Sequence, residues 1–334
     1  MRSSTRTRRG TGVAAAALLA VAGLGAPAPA GASSQQPRAA VCSPGPATGT
    51  TGGTATARSA RPADGPSYTP EQLRRIDRRL TRRLAARGVE RAGAARYDGR
   101  VGATLRIGVH VHVVGGDGTK GASKKRVRRQ LEVVNAAYAG GQGVTNTSTR
   151  FAFYLESFDR TRKHRWHQAR IGGPDDLEMR HALHRGGPED LNLYVLEPRD
   201  PFAQAVVLGW ATPPTEARRQ PGLDGVVIHQ ESLPGGSFSG YNRGDTAVHE
   251  IGHWLGLFHT FEGGCEGPGD LVTDTPAQAV ASSACDPAKD SCTVQPGLDP
   301  INNFMDYAVD DCMNMFTPGQ VSRMHDNWLA YRTP

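Results

Sequence analysis

Eleven residues late in the chain carry a chemistry that their spacing makes specific: His249-Glu250-Ile251-Gly252-His253-Trp254-Leu255-Gly256-Leu257-Phe258-His259. Residues four apart on a helix share a face, so His249 and His253 can aim two imidazoles at one metal ion. Glu250 stands beside the first of them and can reach a water at the metal without being a ligand. Gly256 can take a positive φ and end the helix. The chain then turns, and His259 can bring in a third nitrogen from another direction. Three protein ligands leave one position open, which marks a catalytic zinc site (Zn2+) rather than a structural one. Zinc polarises a carbonyl and makes water more acidic, and Glu250 is the base that takes the proton and passes it to a leaving amine.

Oxygen and sulfur ligands cluster further on. Gly269 to Pro276 form a loop with Asp270, Thr273 and Thr275. Clustered oxygens on a flexible loop suit calcium (Ca2+), and a solvated acidic loop has the same composition. Four of the five cysteines, Cys265, Cys285, Cys292 and Cys312, lie close together. Four suggest two disulfides, and their spacing leaves three connectivities open. Cys42 stands apart near the N-terminus. A thiolate is a strong zinc ligand, so Cys42 is a candidate to fill the fourth zinc position in a precursor and silence it. The alternative is a leftover thiol.

The elements that must position these groups follow from periodicity. Leu105, Ile107, Val109, Val111 and Val113 alternate as a strand, and Phe151–Leu155, Leu191–Leu196, 208–212 and Val226–His229 read as further strands. Val127, Leu131, Val134 and Tyr138 recur at helical spacing within Ser123–Tyr138, and Asp175–His184 reads as another helix. Strands alternating with helices argue for an α/β layer. From Gly263 to Pro300 the chain is rich in Gly, Pro and Asp and reads as loop. Thr317-Pro318-Gly319-Gln320 is a capping-box start for a final helix running toward Tyr331.

Composition bounds the rest. The 334 residues are 38% hydrophobic before the 41 glycines are counted, an ordinary globular content that excludes wholesale disorder. The net charge of +7 is unevenly spread. Residues 1–100 hold 17 arginines, no lysine and five acids, whereas residues 101–334 hold 22 basic and 27 acidic residues. The basicity therefore belongs to a segment that processing can remove, and it is no argument for a nucleic-acid partner. Arg2, Arg6, Arg8 and Arg9, the apolar Val13–Leu24 and the small residues Ala28–Ala32 read as a secretory signal over 1–32. Nothing later is long and apolar enough to span a membrane. Residues 33–66 read as a linker. Thr69, Pro70 and Gln72 start a helix carrying Leu73, Ile76, Leu80 and Leu84. It is assigned to a pro-segment over 33–100, the alternative being the first helix of the mature domain. The expected product is a secreted monomer without nucleic-acid or membrane partners, acting on proteins or peptides. A secreted zinc-binding or adhesion module is the competing reading, against which Glu250 argues, since a binding module needs no base beside the metal.

The sequence resembles a known family. His249–His259 match the zinc signature of metzincin proteases, and Asn303-Phe304-Met305-Asp306-Tyr307 resembles their methionine-containing turn. The finer resemblance is to the pappalysins. It rests on Leu208-Gly209-Trp210-Ala211, Gly225–Ile228, Phe258–Phe261, Asp274-Thr275-Pro276, 303–307 and Phe316–Gln320, and covers about residues 100–334. It implies an α/β (α+β) metzincin-type catalytic domain over 101–334: a mixed twisted sheet with backing and active-site helices to near 259, then a loop-rich, disulfide-bonded C-terminal subdomain ending in a helix. It implies a secreted zinc endopeptidase made as a zymogen. Met305 is then packing beneath the metal, Tyr307 a hydrogen-bond donor to the reacting oxygen, and Gly209, Trp210 and Ala211 an edge that pairs with extended substrate. A packed core tyrosine, and a strand whose Trp210 merely packs, are the alternatives. The resemblance also implies structural calcium near Asp270, the pairs Cys265–Cys292 and Cys285–Cys312, and a pocket aspartate, Asp311 or else Asp310, that selects arginine after the scissile bond.

Overall fold

The computed structural model describes residues 68–91, 104–143, 145–199 and 206–333. The signal segment, the linker and Cys42 lie outside the described residues. The elements run α1 (Pro70–Ala86), β1 (Leu105–Gly115), α2 (Lys124–Tyr138), β2 (Phe151–Arg162), α3 (His164–His167), α4 (Pro174–Leu183), β3 (Leu191–Leu196), β4 (Gly209–Ala211), α5 (Pro214–Ala217), β5 (Val226–His229), α6 (Asp245–Trp254) and α7 (Pro318–Asn327). The backbone winds on from α7 as a π-helical turn over Trp328–Arg332.

Five strands form one mixed sheet in the order β2-β1-β3-β5-β4. β1, β2, β3 and β5 are parallel, and β4 pairs antiparallel with β5, Gly209 opposite Ile228 and Ala211 opposite Val226. The inner strands read as continuous apolar runs because both faces are covered. Every residue of β3 and β5 is buried. β2 runs seven residues past its predicted end at Leu155. Beyond that point it is polar and half exposed, and its length is set by the eleven-residue β1 alongside rather than by its own composition. The four-residue α3 and α5 carry no periodic signal and were not legible.

Local signals place the helices that back the sheet. Ser123 caps α2 by accepting from Arg126 N, and Val127, Leu131 and Val134 face the sheet. α6 lies across the same core, with Ala247, Val248, Ile251 and Trp254 packed against Val226, Ile228 and Tyr138. Thr317 and Gln320 make the expected capping box at α7. Between α6 and α7 the chain has no regular element other than an isolated bridge between Asn303 and Met315. Disulfides take the place of secondary structure there: Cys265 is bonded to Cys292 and Cys285 to Cys312, the interlocked pairing that the resemblance implies.

Candidate active site

α6 places two of the three histidines. Gly244, at φ 105°, opens the helix in a conformation that side chains disfavour, and Gly256, at φ 94°, ends the turn after it. Gly256 is needed for space as well, since a Cβ there would stand 2.3 Å from the Asn327 side chain. The turn returns the chain, and His259 faces back toward α6. His253 Nε2 lies 3.0 Å from His249 Nε2 and 3.0 Å from His259 Nε2.

The opposite ring nitrogens fix which atoms can bind metal. His249 Nδ1 donates to Phe304 O at 2.6 Å and His253 Nδ1 to Leu257 O at 2.9 Å. A carbonyl only accepts, so each Nδ1 carries the proton and each Nε2 carries a lone pair. His259 Nδ1 faces the buried Glu262 carboxylate at 3.5 Å. Three lone pairs converging on one point repel each other unless a cation lies between them, and three neutral imidazoles are a donor set that zinc takes. The residues therefore fit the metal that the spacing implies.

Glu250 is buried, one residue along α6 from His249. Its side chain lies against β4: a Cβ on Gly209 would stand 2.8 Å from Glu250 Oε1 and 2.8 Å from Val227 O. Gly209 is thus the residue whose missing side chain leaves room for the carboxylate, a reason the sequence did not reveal. Trp210 points to the other face, 2% exposed, and packs with Val114, Tyr194 and Val227. Its side chain is a core group, so any contact of this strand with substrate falls to its backbone. β4 itself is the outer strand of the sheet, and Ala211 is half-buried.

The methionine turn closes the floor. Met305 is fully buried, and a Cβ on Gly252 of α6 would come 2.5 Å from its sulfur, so the glycine within the zinc motif admits the thioether. Asn303 Oδ1 accepts Met305 N at 3.0 Å, and the Asn303 and Gln320 amides bond reciprocally at 2.8 and 2.9 Å, tying the turn to α7. Asp306 accepts from Ser282 N, Gln278 Nε2 and Tyr307 N, tying it to the disulfide-bonded loop. Tyr307 is half-buried, its ring centroid 4.9 Å from His259 and 5.7 Å from His249. That places it over the histidine cluster rather than in the core.

Asp310 and Asp311 separate cleanly. Asp310 is buried and accepts Arg243 N at 2.7 Å and Gly244 N at 3.2 Å, anchoring the start of α6. Asp311 is half exposed and paired with the Arg243 guanidinium. In the acidic loop, Asp270 is buried and accepts from Thr275 Oγ1 and Val272 N, while Thr273 is exposed. The loop brings Asp270 and Thr275 together but not Thr273. Burial pushes the Asp270 carboxyl up to about 7. Glu262 is the site residue that sequence reasoning missed; an acid three residues past the last histidine was its available signal.

Comparison with known proteins agrees with this geometry. The peptidase M43 family model, pregnancy-associated plasma protein-A, matches residues 207–329. An extracellular metalloprotease of Pyricularia oryzae is 44% identical over 232 residues, 68% of this chain and 76% of its own length. One of Neurospora crassa is 41% identical over 261 residues, 76% of this chain and 84% of its own. Among solved structures, a promirolysin mutant of Tannerella forsythia superposes with a TM-score of 0.61 at 28% identity, covering 80% of this chain and 94% of that one. Mature mirolysin from the same organism, in complex with a cleaved peptide, gives a TM-score of 0.56 at 28% identity, covering 70% of this chain and all of that one. With its three converging histidines, mixed sheet and methionine turn, the chain belongs to the pappalysin family of metzincin zinc metalloproteases.

Proposed function

We propose that the protein is exported, matured from a precursor, and cuts peptide chains with Glu250 as general base and a preference for arginine after the scissile bond. The observation that carries this reading is the convergence of the His249, His253 and His259 Nε2 atoms beside a buried glutamate at the sheet edge. When bound there, zinc supplies a Lewis acid that polarises the scissile carbonyl and acidifies water. Glu250 takes the proton and delivers it to the departing amine, which is why it lies near the metal without joining the ligands. The Tyr307 hydroxyl donates to the oxygen on which charge develops. The backbone of β4 holds the substrate by strand addition, antiparallel pairing being the geometry that the outer strand leaves open. Export is supported by the signal-like N-terminus and by relatives named as extracellular; among the described residues no helix is long and apolar enough to cross a membrane. A thiolate of Cys42 at the fourth zinc position remains the proposed source of latency.

The test is a casein assay on matured protein with zinc analysis. Glu250→Gln should lower the rate about a hundred- to ten-thousand-fold while one zinc per chain is retained. Activity in excess chelator, or full activity of the variant, overturns the reading. For specificity, Asp311 already holds a guanidinium, that of Arg243, at a half-exposed position. A substrate arginine can take the same place. Asp311→Ala should reduce the preference for arginine about 10- to 100-fold in a peptide library, as expected for loss of a charge-assisted hydrogen bond.

A further inference from the structure

A cleft of about 310 Å³ between α1 and the catalytic unit is lined mainly by guanidinium groups. Arg79, Arg82 and Arg83 come from α1, Arg218 and Arg219 follow α5, and Tyr331 closes the space. Arg83 is fixed there: its Nε donates to Ala330 O at 3.0 Å, and its guanidinium lies 4.8 Å from the Tyr331 ring centroid. Arg82 Nε donates to Arg78 O at 3.3 Å. Arg219 is paired with Glu216 at 3.5 Å, both groups being exposed. Among the described residues, Arg79, Arg82, Arg83 and Arg218 have no carboxylate within ion-pair reach. Other arginines that join elements of this fold are paired: Arg332 with Asp224, Arg323 with Asp77, Arg185 with Asp159.

Like charges around one space repel each other. Here apolar contact holds them together. Leu80 and Leu84 of α1 are completely buried and pack with Ala330 and the same Tyr331. An arginine-rich composition puts guanidiniums on many surfaces, but it does not by itself set two unpaired groups of them against one cleft. Such a space costs free energy when empty and recovers it when an anion enters. A guanidinium presents a planar fork of N–H donors that matches phosphoryl oxygens two at a time. Forks arriving from two sides suit an anion with more than one charged group.

We propose that this cleft binds a phosphate-class polyanion, and that the bound anion clamps α1 to the catalytic unit. Neither side makes the site alone: α1 supplies three guanidiniums and the segment after α5 supplies two. An anion that needs both binds the joined state and not the separated one, and it favours the joined state accordingly. Without the anion, repulsion across the cleft favours release. The consequence for maturation rests on the reading of α1 as part of the pro-segment: the anion slows departure of the helix from the precursor. The binding itself does not depend on that reading or on the protease chemistry, since no lining residue belongs to the histidine site.

The experiment uses the full chain carrying Glu250→Gln, to keep the precursor whole, and tripolyphosphate as the probe. Calorimetric titration at constant ionic strength should show one saturable site per chain. Orthophosphate should bind at least about tenfold more weakly, because a single phosphoryl group engages one wall at a time. Arg79→Ala and Arg218→Ala, one from each wall, should each weaken tripolyphosphate binding about 10- to 100-fold, as expected for loss of a charge-assisted hydrogen bond. Arg75→Ala, outside the cleft and paired with Glu71, should bind as the parent does. Without the anion, both cleft variants should unfold at or above the parent's temperature, since each removes a like charge; a purely structural role would lower it. Equal binding by all three variants, or uptake of many anions without saturation, overturns the proposal. In the chain with Glu250 intact, tripolyphosphate at ten times its dissociation constant should slow loss of the precursor mass about tenfold. It should not do so in Arg218→Ala. Chelation of zinc by the probe would slow both chains alike, and that result overturns the clamp. A chain inactive on casein that still binds the anion in the cleft would sink the protease reading and leave this site standing.

Discussion

The smallest residues of the site are as constrained as its ligands. Gly209 leaves room for the Glu250 carboxylate, Gly252 for the Met305 sulfur and Gly256 for Asn327. Gly209 offers the cleanest test, because its own backbone belongs to a strand that tolerates alanine. Gly209→Ala would set a methyl group 2.8 Å from both Glu250 Oε1 and Val227 O. Val227 O is backbone in the sheet, so the carboxylate must yield. We expect kcat to fall at least about tenfold, an ångström of misplacement being enough for that, with zinc content unchanged. Steady-state kinetics with metal analysis separates this from loss of the metal. The ligands themselves were legible because their offsets are local and helical. Glu262 was accessible to the same reasoning, three residues past His259, but its contact with Tyr68 spans 194 residues of sequence. The Asp77–Arg323 pair spans 246 residues and leaves no trace in any local pattern.

Among the elements, periodicity served where burial is one-sided or complete. α2, β1, β3 and β5 appear within a residue or two of their expected ends, and α7 ends at Asn327, the π-helical turn carrying the winding past the expected Tyr331. β2 was underestimated because an outer strand with a polar half carries no alternation to read. The stretch between α6 and α7 was legible only as loop, and its cysteines supply what periodicity could not. Each disulfide joins residues 27 apart, and their loops overlap. Opening Cys285–Cys312 by a double serine substitution should cost about 3 kcal/mol in the chain-entropy model. Thermal unfolding should show it. The loss should be felt at the methionine turn, because Asp306 lies within the loop that this bond closes and accepts from Gln278 and Ser282 just before Cys285.

At the scale of the whole molecule, stability is linked to pH through the junction of two subdomains. Asp310, on the loop after the methionine turn, is buried against the start of α6, and burial pushes its carboxyl up to about 6. Asp245 beside it is raised as well, first by burial and then by the charge of Asp310. The native state thus holds this proton more tightly than the unfolded chain does. The contribution is complete below about pH 4 and is lost as pH rises through about 6. Between pH 4 and 7, wild type should lose about 2 kcal/mol relative to Asp310→Asn, whose amide has no proton to lose. Denaturant midpoints across that range measure it, and parallel curves would refute the linkage. The overlapping disulfides have a consequence of timing. Thiols stay reduced in a cytoplasm and pair only after they leave it. Until Cys285 finds Cys312, the floor beneath the histidines is unfinished. If the chain is exported as proposed, the reductants of the cell that makes it act beside the latency proposed for Cys42, and the oxidant outside completes the site. The same logic sets the choice of host: a reducing cytosol should yield soluble but idle protein, and passage through an oxidising compartment should switch it on.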